Sequence, residues 1–195
     1  LHPTQLAQKA QIITSHFQTV VQPKIGGRAK AMVVCDSRLH ALKTFKALQS
    51  ALAEARMADA TTGNVGVLVA FSGTLTDDDG EWTETKANGL PESQTVKAFD
   101  TDEYKILVVA EKFQTGFNQS LLQAMYVDKA LARHHAVQTL SRLNRIHRGK
   151  DGTFVLDFVN DAETIQAAYQ EYYDRTISPP TSPNLMYDAR SELQP

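Results

Sequence analysis

Apolar runs and periodic polar stretches alternate along this chain. Ala31-Met32-Val33-Val34-Cys35 is a short continuous apolar run, the pattern of a strand buried on both faces. Gly66–Phe71 (GVLVAF), Lys105–Ala110 (KILVVA), Ala124–Val127 (AMYV) and Thr153–Val159 (TFVLDFV) repeat it. Between them run helical periods. Arg38–Arg56 places Leu39, Leu42, Phe45/Lys46, Leu48 and Leu52 at helical spacing, and further helices are predicted over 91–99, 136–147 and 162–173. Residues 1–21 read as an amphipathic helix with Leu6, Ala10, Ile13, Phe17 and Val20/Val21 on one face, set off by Pro23 and Gly26-Gly27. Thr74–Gly89 is acidic and turn-rich and reads as an exposed excursion, with Trp82 set either on the domain or toward a neighbour. Ser178–Pro183, with three prolines, reads as a linker or extended arm. Strand–helix alternation of this kind predicts an α/β domain with a parallel sheet flanked by helices.

A length of 195 residues suits one globular domain with flanking extensions, and 42% hydrophobic content excludes disorder, collagen or coiled coil for the whole chain. The net charge of −2 is unevenly spread. Residues 1–50 carry +6, residues 51–128 −8, residues 129–150 +6 and residues 151–195 −6. Two basic blocks far apart in sequence can meet in a fold and face a polyanion. The acidic blocks are expected on solvated surface or against other domains. One cysteine, Cys35, excludes an internal disulfide or a cysteine zinc site, and its apolar surroundings predict a buried free thiol in a reducing compartment. The beginning Leu1-His2-Pro3 shows neither an initiator Met nor a secretory pattern, and reads as the interior of a longer chain.

In parallel α/β sheets ligands bind beyond the carboxyl ends of the strands, which directs attention to the segments following each strand. Gln138-Thr139-Leu140-Ser141-Arg142-Leu143-Asn144-Arg145 carries the most chemistry. On a continuous helix, Gln138, Arg142 and Arg145 fall within an arc of about 60°, opposite Val137, Leu140 and Leu143. Two guanidinium groups with no acid beside them suit a shared polyanion, because the planar fork matches phosphate oxygens. The ordinary alternative is a solvated basic face. Glu111–Asn118 follows KILVVA, and its Thr115-Gly116 pair lets backbone and hydroxyl approach a phosphate; the alternative is a plain turn. Asp36-Ser37-Arg38 ends the first strand with a small polar residue and a base, or else Asp36 or Ser37 simply caps the helix.

The order of these segments is informative. Strand–Ser-Arg–helix, strand–Thr-Gly–Phe-Asn, then Gln-x-x-x-Arg-x-x-Arg resembles motifs IV, V and VI of the second RecA-like domain of superfamily 2 helicases and translocases. Gly27–Arg38 (GRAKAMVVCDSR), Val69–Gly73 (VAFSG), Phe99–Lys129 and Val137–Asp161, above all KFQTGF and QTLSRLNR, resemble the motor subunit of type I restriction enzymes over residues 1–175. The resemblance implies a RecA-like domain at 23–175, a connecting helix at 1–22 and a tail at 176–195. It implies that Arg145 is an arginine finger to the ATP γ-phosphate, with Arg142 and Gln138 beside it and Gly116 and Asn118 in the motif V loop. Ser37, Arg38, Ser72, Gly73 and Thr115 become candidates for the DNA backbone. Many helicases have Asp where Asn118 stands, and often Gly where Ser141 stands. Implied partners are double-stranded DNA, an upstream RecA-like and a nuclease domain of the same polypeptide, and methylation and specificity subunits, in a prokaryotic cytoplasm.

The chain contains no G-x-x-x-x-G-K-[ST] phosphate loop, since Gly149-Lys150 precedes Asp151 without the upstream glycine. ATP and Mg²⁺ are therefore expected to be held mainly by an upstream domain, and this chain alone is not expected to hydrolyse ATP. Asp157 imitates a Walker B acid but reads as a strand-end polar residue. His134-His135 and His147 lack acids or cysteines at ligand spacing, so no metal site is expected, and no run is long enough to span a membrane. Phe113 and Phe117 are expected in the core. The rival readings are a stand-alone nucleic-acid-binding RecA-like module, another superfamily 2 helicase without a restriction role, and a Rossmann-like enzyme. The last lacks its glycine fingerprint after the first strand.

Overall fold

The computed structural model describes residues 2–59, 63–113, 117–131, 138–143, 145–150 and 152–160. The expected helix over 162–173, the tail at 176–195, Thr115, Gly116 and His134-His135 lie outside the described residues.

The apolar runs form five parallel strands: β1 (Lys30–Cys35), β2 (Gly66–Ala70), β5 (Tyr104–Ala110), β6 (Leu122–Asp128) and β7 (Phe154–Asp157), in the spatial order β2-β5-β1-β6-β7. β1 lies between its two partners in register, Val33 opposite Val108 and Tyr126. Alternate residues serve opposite faces. Val33, Val69, Val108 and Tyr126 point to one face, where α1 (Pro3–His16) and α3 (Arg38–Ala58) pack. Met32, Leu68, Leu107 and Met125 point to the other, where Phe99 of α5 (Thr95–Asp100), Phe117, Leu140 and Leu143 cover them. Both faces of β1, β2, β5 and β6 are thus covered, which is why these strands are mostly apolar rather than alternating, whereas Val155 of β7 is exposed.

Local chemistry sets the ends of the elements. Ser37 caps α3 by accepting from the His40 amide (3.2 Å). The expected face of α3 is shifted: His40, Ala41 and Thr44 are buried with Leu42, Phe45, Leu48 and Leu52, whereas Leu39 is partly exposed. α1 buries Leu6, Ala10 and Ile13, then widens into a π turn (Phe17–Val21) and the short α2 (Lys24–Gly27), which reverses through left-handed Ile25 and Gly26. The helix expected over 91–99 is divided into a 3-10 turn (Glu92–Gln94) and α5. Gly66 is required where β2 meets the turn before β5, because a Cβ there would lie 2.5 Å from the Glu103 carbonyl oxygen.

The 74–89 excursion is more ordered than an exposed loop. It forms a hairpin, β3 (Leu75–Asp77) and β4 (Gly80–Trp82), followed by α4 (Glu84–Asn88). Lys46 of α3 bonds Asp77 and Asp79, each at 2.6 Å, and both Lys46 and Lys86 lie over the Trp82 ring, at 4.2 and 4.6 Å from its centroid. Trp82 donates to Asp77 (2.9 Å), so it packs on the domain. Asn88 bonds both the amide and the carbonyl of Val69 (2.9 and 2.8 Å), satisfying a residue of edge strand β2 as a neighbouring strand would.

Candidate nucleic-acid and nucleotide interface

β1 and β2 flank β5 and end on the same edge of the sheet, and two of the segments singled out from sequence meet there. The Arg38 guanidinium donates through Nη1 to the carbonyls of Ser72 (2.9 Å) and Thr74 (3.4 Å). Gly73 makes this seat possible. Its φ is +75°, and a Cβ there would lie 3.2 Å from Arg38 Nη1. Ser37, Arg38, Ser72 and Gly73 are all exposed. They form a small platform at the carboxyl edge of the sheet, and Ser37 also serves as the α3 cap.

A second group lies on the face covered by residues 138–143. Arg142 donates through Nη1 to the Phe117 carbonyl (3.0 Å), beside exposed Asn118. Phe117 is buried against Phe99 and Phe113, so the core role expected for Phe117 holds and partly buried Phe113 packs against it. The long helix expected over 136–147 is corrected. Among the described residues only 138–140 are helical, and 142 and 143 close tighter turns onto Thr139 and Leu140. The arc that would align Gln138, Arg142 and Arg145 therefore ends before Arg142. Lys150 explains the turn: its ammonium gathers the carbonyls of Leu122, Leu143 and Arg145, and burial lowers its pKa. Gln138 and Arg145 are exposed. Asp157 behaves as a strand-end residue, its carboxylate accepting from the amides of Val159 and Asn160 (2.8 and 2.7 Å).

The charge blocks also need correction. Much of the first basic block is consumed inside the domain rather than offered to an anion. Lys9 bonds Asp128, Lys46 bonds Asp77 and Asp79, Lys43 pairs with Asp78 at 3.6 Å, and Arg28 approaches Asp102. Lys30 is fully buried against the carbonyls of Thr101 and Tyr104, and burial, with the nearby charge of Lys105, lowers its pKa to about 8. Acids of the middle block are thus counterions of the first, not only solvated surface. Cys35 is buried, and burial raises its thiol to about 12, so it is an inert core thiol.

Two networks under the carboxyl edge had almost no local sequence signature. In the first, buried His40 faces two carboxylates, Asp36 at 2.8 Å from Nδ1 and Asp128 at 3.0 Å from Nε2, while Lys9 of α1 reaches Asp128 at 2.5 Å. Both ring nitrogens can donate only in the imidazolium form. Burial alone would lower the His40 pKa, but the hydrogen bonds to Asp128 and Asp36 outweigh it and raise it. Burial would raise Asp128, yet the bonds from His40 and Lys9 hold it below the usual carboxylate value. In the second network, Glu84 of α4 is 2% exposed and accepts from the Phe71 amide (3.0 Å), the Thr95 hydroxyl (2.5 Å) and Lys112 (2.8 Å). Lys112 also bonds Glu92 (2.5 Å). It lies between Glu111 and Phe113, both at positive φ (60° and 62°), an uncommon conformation for such residues. Asp36 four residues before His40 was the one legible hint of either network.

A cavity of about 610 Å³ opens between α3, β2 and α4, lined by Phe45, Gln49, Arg56, Asn64, Asn88 and Tyr104, and no candidate site residue lines it. Among the described residues no three His, Cys, Asp or Glu side chains converge as a metal site, and no helix is long and apolar enough to cross a membrane.

Residues 91–160 match the family described as type I restriction enzyme subunit R domain 3. The chain is similar to type I restriction enzyme R subunits. Against the HindI endonuclease subunit of Haemophilus influenzae it is 32% identical over 78 residues, covering 38% of this chain and 7% of that one. Against the putative MjaIXP endonuclease subunit of Methanocaldococcus jannaschii it is 25% identical over 169 residues, covering 86% of this chain and 15% of the other. The chain thus spans only a small part of these R-subunit relatives. Among solved structures, helicase Lhr of Mycobacterium smegmatis matches with a TM-score of 0.52 and 12% identity over 90% of this chain and 19% of that one. The C-terminal domain of the DEAD-box protein Dbp5 matches with 0.50 and 12% over 88% of this chain and 81% of that one. These likenesses establish the fold as that of a helicase C-terminal RecA-like domain.

Proposed function

We propose that the chain is the second RecA-like half of the ATP-driven DNA translocase in a type I restriction R subunit. Residues 1–22 serve as the connecting helix, 23–175 as the RecA-like domain and 176–195 as a tail. The observation that carries the reading is how Arg38 is held. Lys43 and Lys46, one and two turns further along α3, face carboxylates, whereas Arg38 rests on two neutral carbonyls and keeps its positive charge at the exposed carboxyl edge. A guanidinium fixed this way, beside Ser37, Ser72 and Gly73, suits a phosphate backbone. Such contacts position DNA without reading its sequence, as a motor moving along any sequence requires. Thr115 joins this set from the motif V loop.

On the nucleotide side, Arg145 reaches the γ-phosphate as the arginine finger, Arg142 and Gln138 support the same phosphates, and Gly116 and Asn118 link that site to DNA. ATP and Mg²⁺ are held mainly by a partner RecA-like domain carrying the phosphate loop, which this sequence lacks. The whole R subunit then works with its nuclease domain and with methylation and specificity subunits in a prokaryotic cytoplasm. The test is binding of the chain to random-sequence duplex DNA across a salt series. Arg38→Ala is expected to weaken binding equally for all sequences and to reduce the salt slope by about one. Unchanged affinity and slope would overturn the DNA assignment.

A further inference from the structure

The acidic excursion contributes a residue that the function described above does not use. Glu84 lies deep in the domain, and its two carboxylate oxygens serve three separate segments. One is the Phe71 amide, directly before the Ser72-Gly73 turn on which Arg38 sits. Another is Thr95, which begins α5. The last is Lys112, directly after β5 and on the way into the segment at 114–116. The Lys112 end is itself fixed, since Glu92 takes a second bond from the same ammonium. Lys112 sits between two residues in left-handed backbone, so the chain there needs an outside hold to keep that shape. A buried carboxylate that accepts from a backbone amide and from a lysine is a rigid joint, because each donor loses its acceptor if the others move.

We propose that Glu84 is a positioning residue that locks the Arg38 platform to Glu111–Phe113, directly after β5, so that the two segments move as one unit. The inference rests on the DNA reading for its functional consequence, but the joint itself does not. On the proposed reading the segment after β5 leads into the loop that links nucleotide to DNA, the platform holds DNA, and Glu84–Lys112 ties the two together. The hairpin and α4 are then the scaffold that carries this carboxylate inward, which gives the excursion a task.

The experiment uses the 195-residue chain with random-sequence duplex DNA as the probe. Lys112→Met leaves the Glu84 charge buried without its cation and is expected to lower both thermal stability and DNA affinity. Glu84→Gln combined with Lys112→Met removes both charges, while glutamine can still accept from Phe71 and donate to Thr95. This double variant is expected to regain stability but not DNA affinity, which stays about tenfold below wild type, the scale of one lost charged hydrogen bond. Deuterium uptake at residues 71–74 is expected to rise in the double variant relative to β1, and Lys112→Arg is expected to restore both readouts. Arg38→Ala is expected to add nothing in the double background. Recovery of DNA affinity together with stability would overturn the proposal, as would unchanged uptake at 71–74. If Arg38→Ala leaves DNA binding of the wild-type chain intact, the DNA reading fails, and increased uptake at 71–74 still supports the joint.

Discussion

Replacing Asp128 by asparagine removes one negative charge from the carboxyl end of β6 while keeping the side chain's shape. Asp128 is 5% exposed and takes two charged donors, Lys9 at 2.5 Å and His40 at 3.0 Å. Asparagine offers one oxygen and one NH₂, so in either orientation the NH₂ faces a donor. Breaking a buried charged pair from one side costs about 3–5 kcal/mol. Two features reduce this. The Lys9 side chain is 30% exposed and can recover water, and His40 can release its proton once Asp128 no longer supports it. A loss of about 2–4 kcal/mol is therefore expected, a large part of the roughly 5–15 kcal/mol that stabilises a typical domain. The assay is urea unfolding followed by circular dichroism at pH 6, comparing midpoints at constant slope. Asp78→Asn is the control: Asp78 is 96% exposed and 3.6 Å from Lys43, so its loss should stay within about 0.5 kcal/mol. An Asp128→Asn loss below about 1 kcal/mol, or equal to the control, would refute the idea that this network braces the edge.

The same network sets a pH dependence. The folded pKa of His40 is raised, so its contribution is complete below its unfolded value of about 6.5 and lost as pH rises through the higher folded value. Asp128 and Asp36 are lowered, so theirs is present above about 3.9 and lost as pH falls through their folded values. His16, lowered by burial, works in the opposite sense near pH 6, so the comparison must be with His40→Gln: that variant should lose less stability than wild type on going from pH 6 to pH 8.5, and equal losses would refute the role of His40. Gly73→Ala should lower DNA affinity by displacing Arg38 and straining a backbone at φ +75° by about 1–2 kcal/mol. It should add little to Arg38→Ala, and full additivity of the two variants in a DNA titration would show that Gly73 does not act through the Arg38 seat.

β1, β2, β5 and β6 were legible because each holds a continuous apolar run, and covering both faces of a parallel sheet demands that pattern; β7, with exposed Val155, was legible from its apolar run alone. The α1 stripe was legible for the same reason in helical period. Glu84 was not, because an acid three residues after the acidic run Asp77-Asp78-Asp79-Gly80-Glu81 reads as solvated; it is buried because Phe71, Thr95 and Lys112 converge on it from other elements. His40 was missed by a shift in helix phase that favoured Leu39. Asp128 lies 88 positions from His40 and 119 from Lys9, separations no local pattern records. Basic-block counting misled in the same way, since the partners of Lys9, Lys43 and Lys46 lie in the next block. Of the site, Arg38 and Ser72 were each legible as candidates following a strand, but their contact was not, because it joins segments 34 positions apart. The helical arc of Gln138, Arg142 and Arg145 was not realised, because Lys150 draws the carbonyls of Leu143 and Arg145 into a turn.

The central claim is that this domain completes an ATPase site with an arginine finger. It is tested most directly by joining the chain to an R-subunit RecA-like domain that carries a phosphate loop and measuring DNA-stimulated ATP hydrolysis. Arg145→Ala is predicted to lower the rate on the order of 10³-fold, the scale of such fingers. A rate unchanged within about threefold would contradict the account.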